Sequence, residues 1–337
     1  MTSSENRPPS SSDPTPGTPV RIVRRLAAAA SLALSLLTIA SLCGSWHWVL
    51  ELTTHFPVLY AVCALILLAV LGRRGPVWCR LILVVVLGMN LYAFVPWYWP
   101  TSRPAEANLR ILVANLHADN ENYQGFLDCV AQADPDVILL QEVDHNWERA
   151  LVALEEDYPH GIHDASDDPW GVMLRSRLPL QELELVPMGK YQASLGLATV
   201  QVEGQAVRLY NVSSSPPISA RAASWRNGQF DKVAARVRED ARPSVVAGDL
   251  NTTMWSPDYA RLTFDTKMKN TRRGFGILPT FPAWNGMALI PIDHSLVSES
   301  IGVLSYGPVQ GFGSDHRPML AELYVPPLKS DAEELGH

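Results

Sequence analysis

Three apolar stretches in the first hundred residues, at 26–48, 56–71 and 77–97, constrain this chain more than any other feature. A helix needs about 20 consecutive apolar residues to cross the hydrocarbon core of a bilayer. The first and third stretches reach that length, and the second reaches it with its flanks. Trp46, Trp48, Trp97, Tyr98 and Trp99 stand near the ends, where amphipathic rings favour the headgroup level. Residues 21–100 are therefore expected to form a membrane anchor of three transmembrane helices. Arg21, Arg24 and Arg25 before an apolar run would also suit a signal peptide. Two further runs follow, however, and no small-residue cleavage site leads into a mature domain. The runs hold no Asp, Glu or Lys of the kind that lines an ion pathway, which argues against a transporter or channel.

Lys and Arg placement orients the anchor. Arg21, Arg24 and Arg25 precede the first run, and Arg73, Arg74 and Arg80 flank the second loop. The first loop, 51–55, has neither residue type. The positive-inside rule then puts the N-terminus and second loop in the cytoplasm. Three spans leave the C-terminal part outside, so the expectation is a multi-pass inner-membrane protein with a periplasmic or extracellular domain. An even number of spans would reverse this.

The rest of the chain divides into a Pro/Ser/Thr-rich tail at 1–20, a domain at 105–327 and a tail at 328–337, both tails expected to be disordered. About 220 residues suffice for one sizeable core. Helical patterns at 123–132, 145–155 and 219–239 alternate with apolar strand runs, which indicates α/β architecture. Residues 255–287, rich in Pro, Gly and aromatics, read as a long irregular loop. Arg272, Arg273 and Trp284 would there hold a phosphate or head group, or serve the loop alone. The helix at 219–239 carries Arg221, Arg226, Lys232, Arg236 and Arg238, read as a solvated face.

Of 27 Lys and Arg and 34 Asp and Glu, 7 and 3 lie in the first hundred residues. The remainder is therefore acidic, with 20 against 31 and a net charge of −11. Duplex nucleic acid is bound through a basic footprint, so this balance argues against tight duplex binding without excluding nucleic acid as a substrate. Of the four cysteines, only Cys129 falls in the domain, which excludes a disulfide framework; it reads as a small buried apolar residue.

Chemistry-bearing residues recur at the ends of apolar strand runs. The run 137–141 ends in Gln141-Glu142, and the run 244–247 leads into Gly248-Asp249-Leu250-Asn251. Ile290-Pro291-Ile292-Asp293-His294 opens another run. Gly313-Ser314-Asp315-His316-Arg317-Pro318 precedes the alternating segment 319–325. An amphipathic strand at 110–115 ends in Asn115. Taken singly, Glu142 suits a helix cap, Asp249-Asn251 an Asx turn and Asn115 a turn. Together they supply the oxygen ligands a hard divalent cation takes, Glu142, Asp249 and Asp315, with no zinc-like Cys/His spacing. Phosphoester hydrolysis needs such a cation to offset phosphate charge and a base to activate water. Asp249 or His316 can be that base, and an Asp293–His316 hydrogen bond would fix the imidazole tautomer.

In this order the motifs resemble the endonuclease/exonuclease/phosphatase superfamily, over about residues 109–325. Gly171-Val172-Met173-Leu174-Arg175-Ser176-Arg177-Leu178-Pro179 is similar to its Gly-x-x-x-x-Ser-Arg-x-Pro element. The resemblance implies an α/β fold, a four-layer sandwich of two packed β-sheets flanked by helices. It implies a phosphodiester or phosphomonoester hydrolase working by metal-activated water, on nucleic acid, a lipid head group or a small phosphoester. The roles it implies are catalysis by Asp249, Asn251, Asp293 and His316, and substrate binding by Asn115, Asn251, Ser213 and Arg175. Glu142, Asp315, Asn115 and Asp249 would hold Mg²⁺ or Mn²⁺. No protein partner is implied. The chain departs from the pattern at Ser213-Ser214-Ser215-Pro216-Pro217, where the family carries His-x-x-Pro-Pro or a related form. A hydroxyl donates a hydrogen bond but carries no charge, and charge-assisted bonds are about twice as strong. Weakened or altered catalysis is expected unless His117 or Arg175 compensates. The alternative is a non-catalytic domain binding a phosphorylated ligand or a partner protein.

Overall fold

The computed structural model describes residues 18–73, 75–189, 194–283 and 289–328. The tails expected at 1–20 and 328–337 lie outside it except for 18–20, which begin the first helix, and Leu328. Arg74 and Trp284 also lie outside the described residues.

The N-terminal part packs α1 (Thr18–Leu42), α3 (Pro57–Leu71) and α4 (Val77–Phe94) around Ala27, Leu34, Ala64, Cys79 and Leu83. Small side chains at Ala64 and Cys79 let the helices approach closely. Asn90 on α4 donates to Thr38 Oγ1 on α1 at 3.2 Å, a polar tie between apolar helices. The segments Arg21–Leu42 and Val77–Tyr98 are long and apolar enough to cross a membrane. Between them the short α2 (Trp48–Leu52) and a 3₁₀ turn (Thr53–His55) meet α3 at 66°, and this pair makes a third span if counted as one. Pro57, with no N–H to donate, marks the break and starts α3.

The second part is a four-layer α/β sandwich. The first sheet runs β11 (Gly302–Pro308), β12 (Met319–Tyr324), β1 (Leu109–Asn115), β2 (Val137–Gln141), β4 (Val172–Ser176), β3 (His160–Asp164). The second runs β5 (Leu180–Pro187), β6 (Ser194–Val202), β7 (Gln205–Ser213), β8 (Ser244–Asp249), β10 (Asp293–Val297), β9 (Lys269–Asn270). Alternation along each strand builds the layers. On β1, Ile111 and Val113 face the other sheet, meeting Leu209, Val245 and Ala247 in the inter-sheet core. Leu112 and Ala114 face outward, under α5 (Tyr123–Ala133) and α6 (His145–Ala150), against Phe126, Cys129 and Trp147. On β8, Val246 likewise faces Phe230 and Val233 of α7 (Ala220–Glu239) and, beside it, Leu262 of α8 (Pro257–Thr266).

Three sequence readings change. The helix expected at 145–155 ends as α6 at Ala150 and continues as a 3₁₀ turn, Leu151–Leu154. The expected loop at 255–287 contains α8 and β9. Ser256 Oγ caps α8 by accepting from Asp258 N at 3.1 Å, with Pro257 at the first helical position. Finally, Arg226 is not on a solvated face of α7 but fully buried.

Candidate active site

The topology brings the separate motifs to one end of both sheets. β1 and β2 run parallel with Asn115 opposite Gln141, so Asn115 and Glu142 leave the first sheet side by side. In the second sheet Asp249 pairs with Ser213 on the parallel β7 and with Asp293 on the antiparallel β10. The 313–318 turn leads into β12, which neighbours β1. Ser314 Oγ donates to the Asn115 carbonyl at 2.8 Å and accepts from His316 N at 3.0 Å, fixing that turn over the gap between the sheets.

A network of short contacts follows. Asn115 Nδ2 bridges Glu142 Oε1 at 2.8 Å and Asp249 Oδ2 at 3.3 Å. Asn251, at φ 47°, donates its N–H to Asp249 Oδ1 at 2.8 Å and its amide to Asp249 Oδ2 at 3.0 Å and Ser214 O at 2.8 Å. Gly248 makes the approach possible. Its φ is +139°, and a Cβ there would fall 2.0 Å from the Val212 carbonyl. Glu142 is itself left-handed at φ 56°, a strained setting for a non-glycine residue at a strand end.

His316 Nδ1 lies 2.9 Å from Asp293 Oδ2, and both side chains are buried. Phe281 packs on the imidazole with ring centroids 4.8 Å apart. Nε2 points away from this pair, 4.0 Å from Asp249 Oδ2 and 4.0 Å from Asp315 Oδ1. Burial alone would lower the His316 pKa, but the charge and hydrogen bond of Asp293 outweigh it and raise it to about 10. Burial would likewise raise Asp293, yet the imidazolium holds that carboxyl below the usual range. Asp249 is pushed up to about 8 by burial first and by the Asp293 charge second.

One ligand atom each from Glu142, Asp249 and His316 lies within 4.8 Å of the others. Asp315 Oδ1 beside them is buried and has no hydrogen-bond partner, although His117 Nδ1 stands 3.3 Å away. A buried acceptor facing a cluster of carboxylates is what a cation would satisfy. A donor set rich in carboxylate oxygen of this kind fits a hard divalent ion.

Not every sequence candidate joins the site. Arg175 lies three residues along β4 from Val172, which pairs with Gln141, and its guanidinium donates to Glu155 Oε1 at 2.9 Å. The strand carries it away from the catalytic end, which corrects its expected substrate-binding role. Ser213 is at the site, buried opposite Asp249. Arg272 and Arg273 are not free to take a phosphate. Arg272 is fully buried, donating to His294 Nδ1 at 3.0 Å and Asp293 O at 2.9 Å, and Arg273 lies over the Trp97 ring at 5.1 Å.

Sequence reasoning missed two supports. His294 points opposite to Asp293 and links Arg272 to the Thr252 carbonyl, which accepts from Nε2 at 2.9 Å. Burial and then the Arg272 charge lower its pKa to about 3, so it stays neutral and rigid. Thr280 Oγ1 accepts from the Asp293 N–H at 3.2 Å and from Ile292 N at 3.1 Å. His294 was visible as the residue after Asp293, whereas nothing marked Thr280.

The sandwich and this acidic, imidazole-bearing cleft define a metal-dependent hydrolase of phosphoester bonds. The chain belongs to the Endonuclease/Exonuclease/phosphatase family, whose model matches residues 112–316. No curated protein matches it in sequence. Among solved structures, an endonuclease/exonuclease/phosphatase family protein from Bacteroides thetaiotaomicron is similar at TM-score 0.55 and 20% identity, over 68% of this chain and 100% of that one. A Beutenbergia cavernae endonuclease/exonuclease/phosphatase gives 0.53 and 20%, over 65% and 72%. D. rerio TDP2, solved with a single-strand DNA product, gives 0.54 and 15%, over 64% and 99%. At these identities the structural likeness speaks to the fold.

Proposed function

We propose that the chain is a membrane-anchored, Mg²⁺-dependent phosphoesterase whose catalytic domain works on the outer side of the cytoplasmic membrane. The observation that carries this reading is the convergence of Glu142, Asp249 and His316 from three separate strand ends to within 4.8 Å. A divalent cation held by Glu142, Asp249 and Asp315 would offset phosphate charge and lower the pKa of water. The protein groups divide the remaining work by their protonation. A His316 held as imidazolium cannot take a proton, and its Nε2–H is free to hydrogen-bond a phosphate oxygen. The proton of the attacking water then falls to the buried Asp249 carboxylate, which Asn115 and Asn251 aim into the site. Asn251 and Asn115 hold Asp249 in place, each with both amide N–H groups engaged. His117, 36% exposed and 3.3 Å from Asp315, is a second imidazole within reach of a phosphate bound at the carboxylates.

The orientation is supported by contacts between the two parts. Glu51 and His55, in the first loop of the anchor, touch the catalytic domain, so loop and domain share one side of the membrane. That requires an odd number of spans, with α3 crossing. Together with the arginines of the N-terminus and second loop, it favours an external domain.

Initial rates of the full chain in detergent micelles on an activated phosphodiester test this reading. Activity lost both on chelation and in Asp249→Ala is the expected result. A folded, Mg²⁺-binding protein with no turnover on mono- or diesters would instead indicate a domain that binds a phosphorylated ligand.

A further inference from the structure

The arginine that sequence patterning assigns to solvent is the centre of the contact between anchor and catalytic domain. Arg226 on α7 is fully buried, and its guanidinium Nη2 donates to Glu51 Oε2 at 2.7 Å and Asp258 Oδ2 at 2.9 Å. Glu51, on α2 of the anchor, is 2% exposed. Its second oxygen accepts from Ser256 Oγ at 2.6 Å, the same hydroxyl that caps α8. One turn on, His55 Nδ1 lies 2.9 Å from Thr253 Oγ1, with both residues buried. From the far end of the anchor, the Ala93 carbonyl accepts from Trp255 Nε1 at 2.9 Å.

Three of these contacts, from Glu51, His55 and Ala93, reach one short segment. Thr253, Trp255 and Ser256 follow directly on Asp249 and Asn251, and Thr253 lies four residues from Asp249. Their Cα atoms are therefore at most roughly 15 Å apart. Within the domain the segment is tied to the site by Leu250 N donating to Ile292 O at 3.0 Å and by the Thr252 carbonyl on His294. The outer side of the segment rests on the anchor.

We propose that the first loop of the anchor is a working part of the catalytic unit. Glu51 acts as a positioning residue, holding Thr252–Ser256 and through it the placement of Asp249 and Asn251. The idea rests on the reading of Asp249 and Asn251 as working residues. It follows that the membrane anchor does more than tether the domain. The ion cluster is buried, so its geometry is enforced more strictly than that of a surface pair, and loss of the Glu51 charge removes its charge-assisted bonds to Arg226 and Ser256. Misplacement of reacting groups by about 1 Å can cost up to about 100-fold in rate, so a partial loosening is expected to cost about ten-fold.

The test uses the full chain in nanodiscs with Mg²⁺ and an activated phosphodiester. Glu51→Gln keeps the volume and removes the charge; Thr253→Val removes the separate His55 contact without touching the ion cluster. Each is expected to lower kcat about ten-fold with KM within two-fold, and to speed amide exchange at 250–256 while the strands of both sheets stay protected. Trp46→Ala, at a 79% exposed position five residues before Glu51, is the control and should change neither readout. Unchanged kcat and unchanged exchange in both variants would overturn the proposal. So would a loss of kcat that accompanies uniform loss of protection, since that is a purely structural role. If the wild-type chain proves inert on the ester, the enzyme reading fails. Exchange at 250–256 then still decides whether Glu51 holds the segment.

Discussion

Asp249 is the residue whose stability and function are most directly opposed. Its carboxyl is 2% exposed and pushed from 3.8 up to about 8, by burial and then by the Asp293 charge. Between those two values the folded state binds more protons than the unfolded state, so stability falls as pH rises across the window. At pH 7.5 the span is nearly four units, which at 1.36 kcal/mol per unit is about 5 kcal/mol of destabilisation in metal-free protein. Asp249→Asn removes that penalty. It also turns an amide NH₂ toward the amides of Asn115 and Asn251, which both donate to Oδ2, and it withdraws a charge that supports the His316 imidazolium. These losses amount to about 3 kcal/mol. The variant is thus expected to be more stable than wild type by about 2 kcal/mol, or about 4–8 °C in Tm for a domain of this size. At pH 5.5 the penalty shrinks to about 2 kcal/mol, and the order of the two proteins should reverse. Near-UV circular dichroism of chelator-treated full-length protein at the two pH values measures this. Mg²⁺ at a hundredfold its Kd should raise wild type by about 2.7 kcal/mol and the variant by much less. An Asp249→Asn protein that melts below wild type at pH 7.5 without metal, or whose advantage ignores pH, would refute the assigned electrostatics.

Asp293→Asn should lower kcat by about 10²–10⁴, because the imidazole loses the charge that keeps it protonated in a buried setting, and pH-rate profiles should show the lost ionisation. Ser213→His should raise the rate if the missing imidazole limits catalysis, while His117→Ala should lower it about ten-fold in single-turnover kinetics if His117 serves as the surviving one. Arg272→Met deprives His294 Nδ1 and the carbonyl of Asp293 of a donor, and chemical denaturation should register a loss of about 3 kcal/mol. A periplasmic reporter fused after Tyr324 should be active, and a dark one would overturn the orientation.

Strands and site residues were legible for a shared reason. Buried strands such as Val137–Gln141 and Ser244–Asp249 are apolar runs, and a polar residue at the end of such a run is exposed to notice. Asn115, Glu142, Asp249, Asp293, Asp315 and His316 all sit at such ends. Arg175 was misassigned because a strand's sequence does not show which of its ends approaches the cleft. Helix α8 was hidden because its start, Ser256-Pro257-Asp258, uses residues that equally mark turns.

The sequence alone determined where the apolar helices lie, which residues carry oxygen ligands and imidazole, and that they close strands of an α/β domain. These are properties of local composition and period. Only the tertiary structure decided that His294 faces away toward Arg272 and that Arg226 is buried. Each depends on partners far apart in the chain, such as Glu51 and Arg226, whose pairing no local pattern encodes. A charge is stable in the interior only with such a partner, and the partner is chosen by how the N-terminal helices pack on the domain.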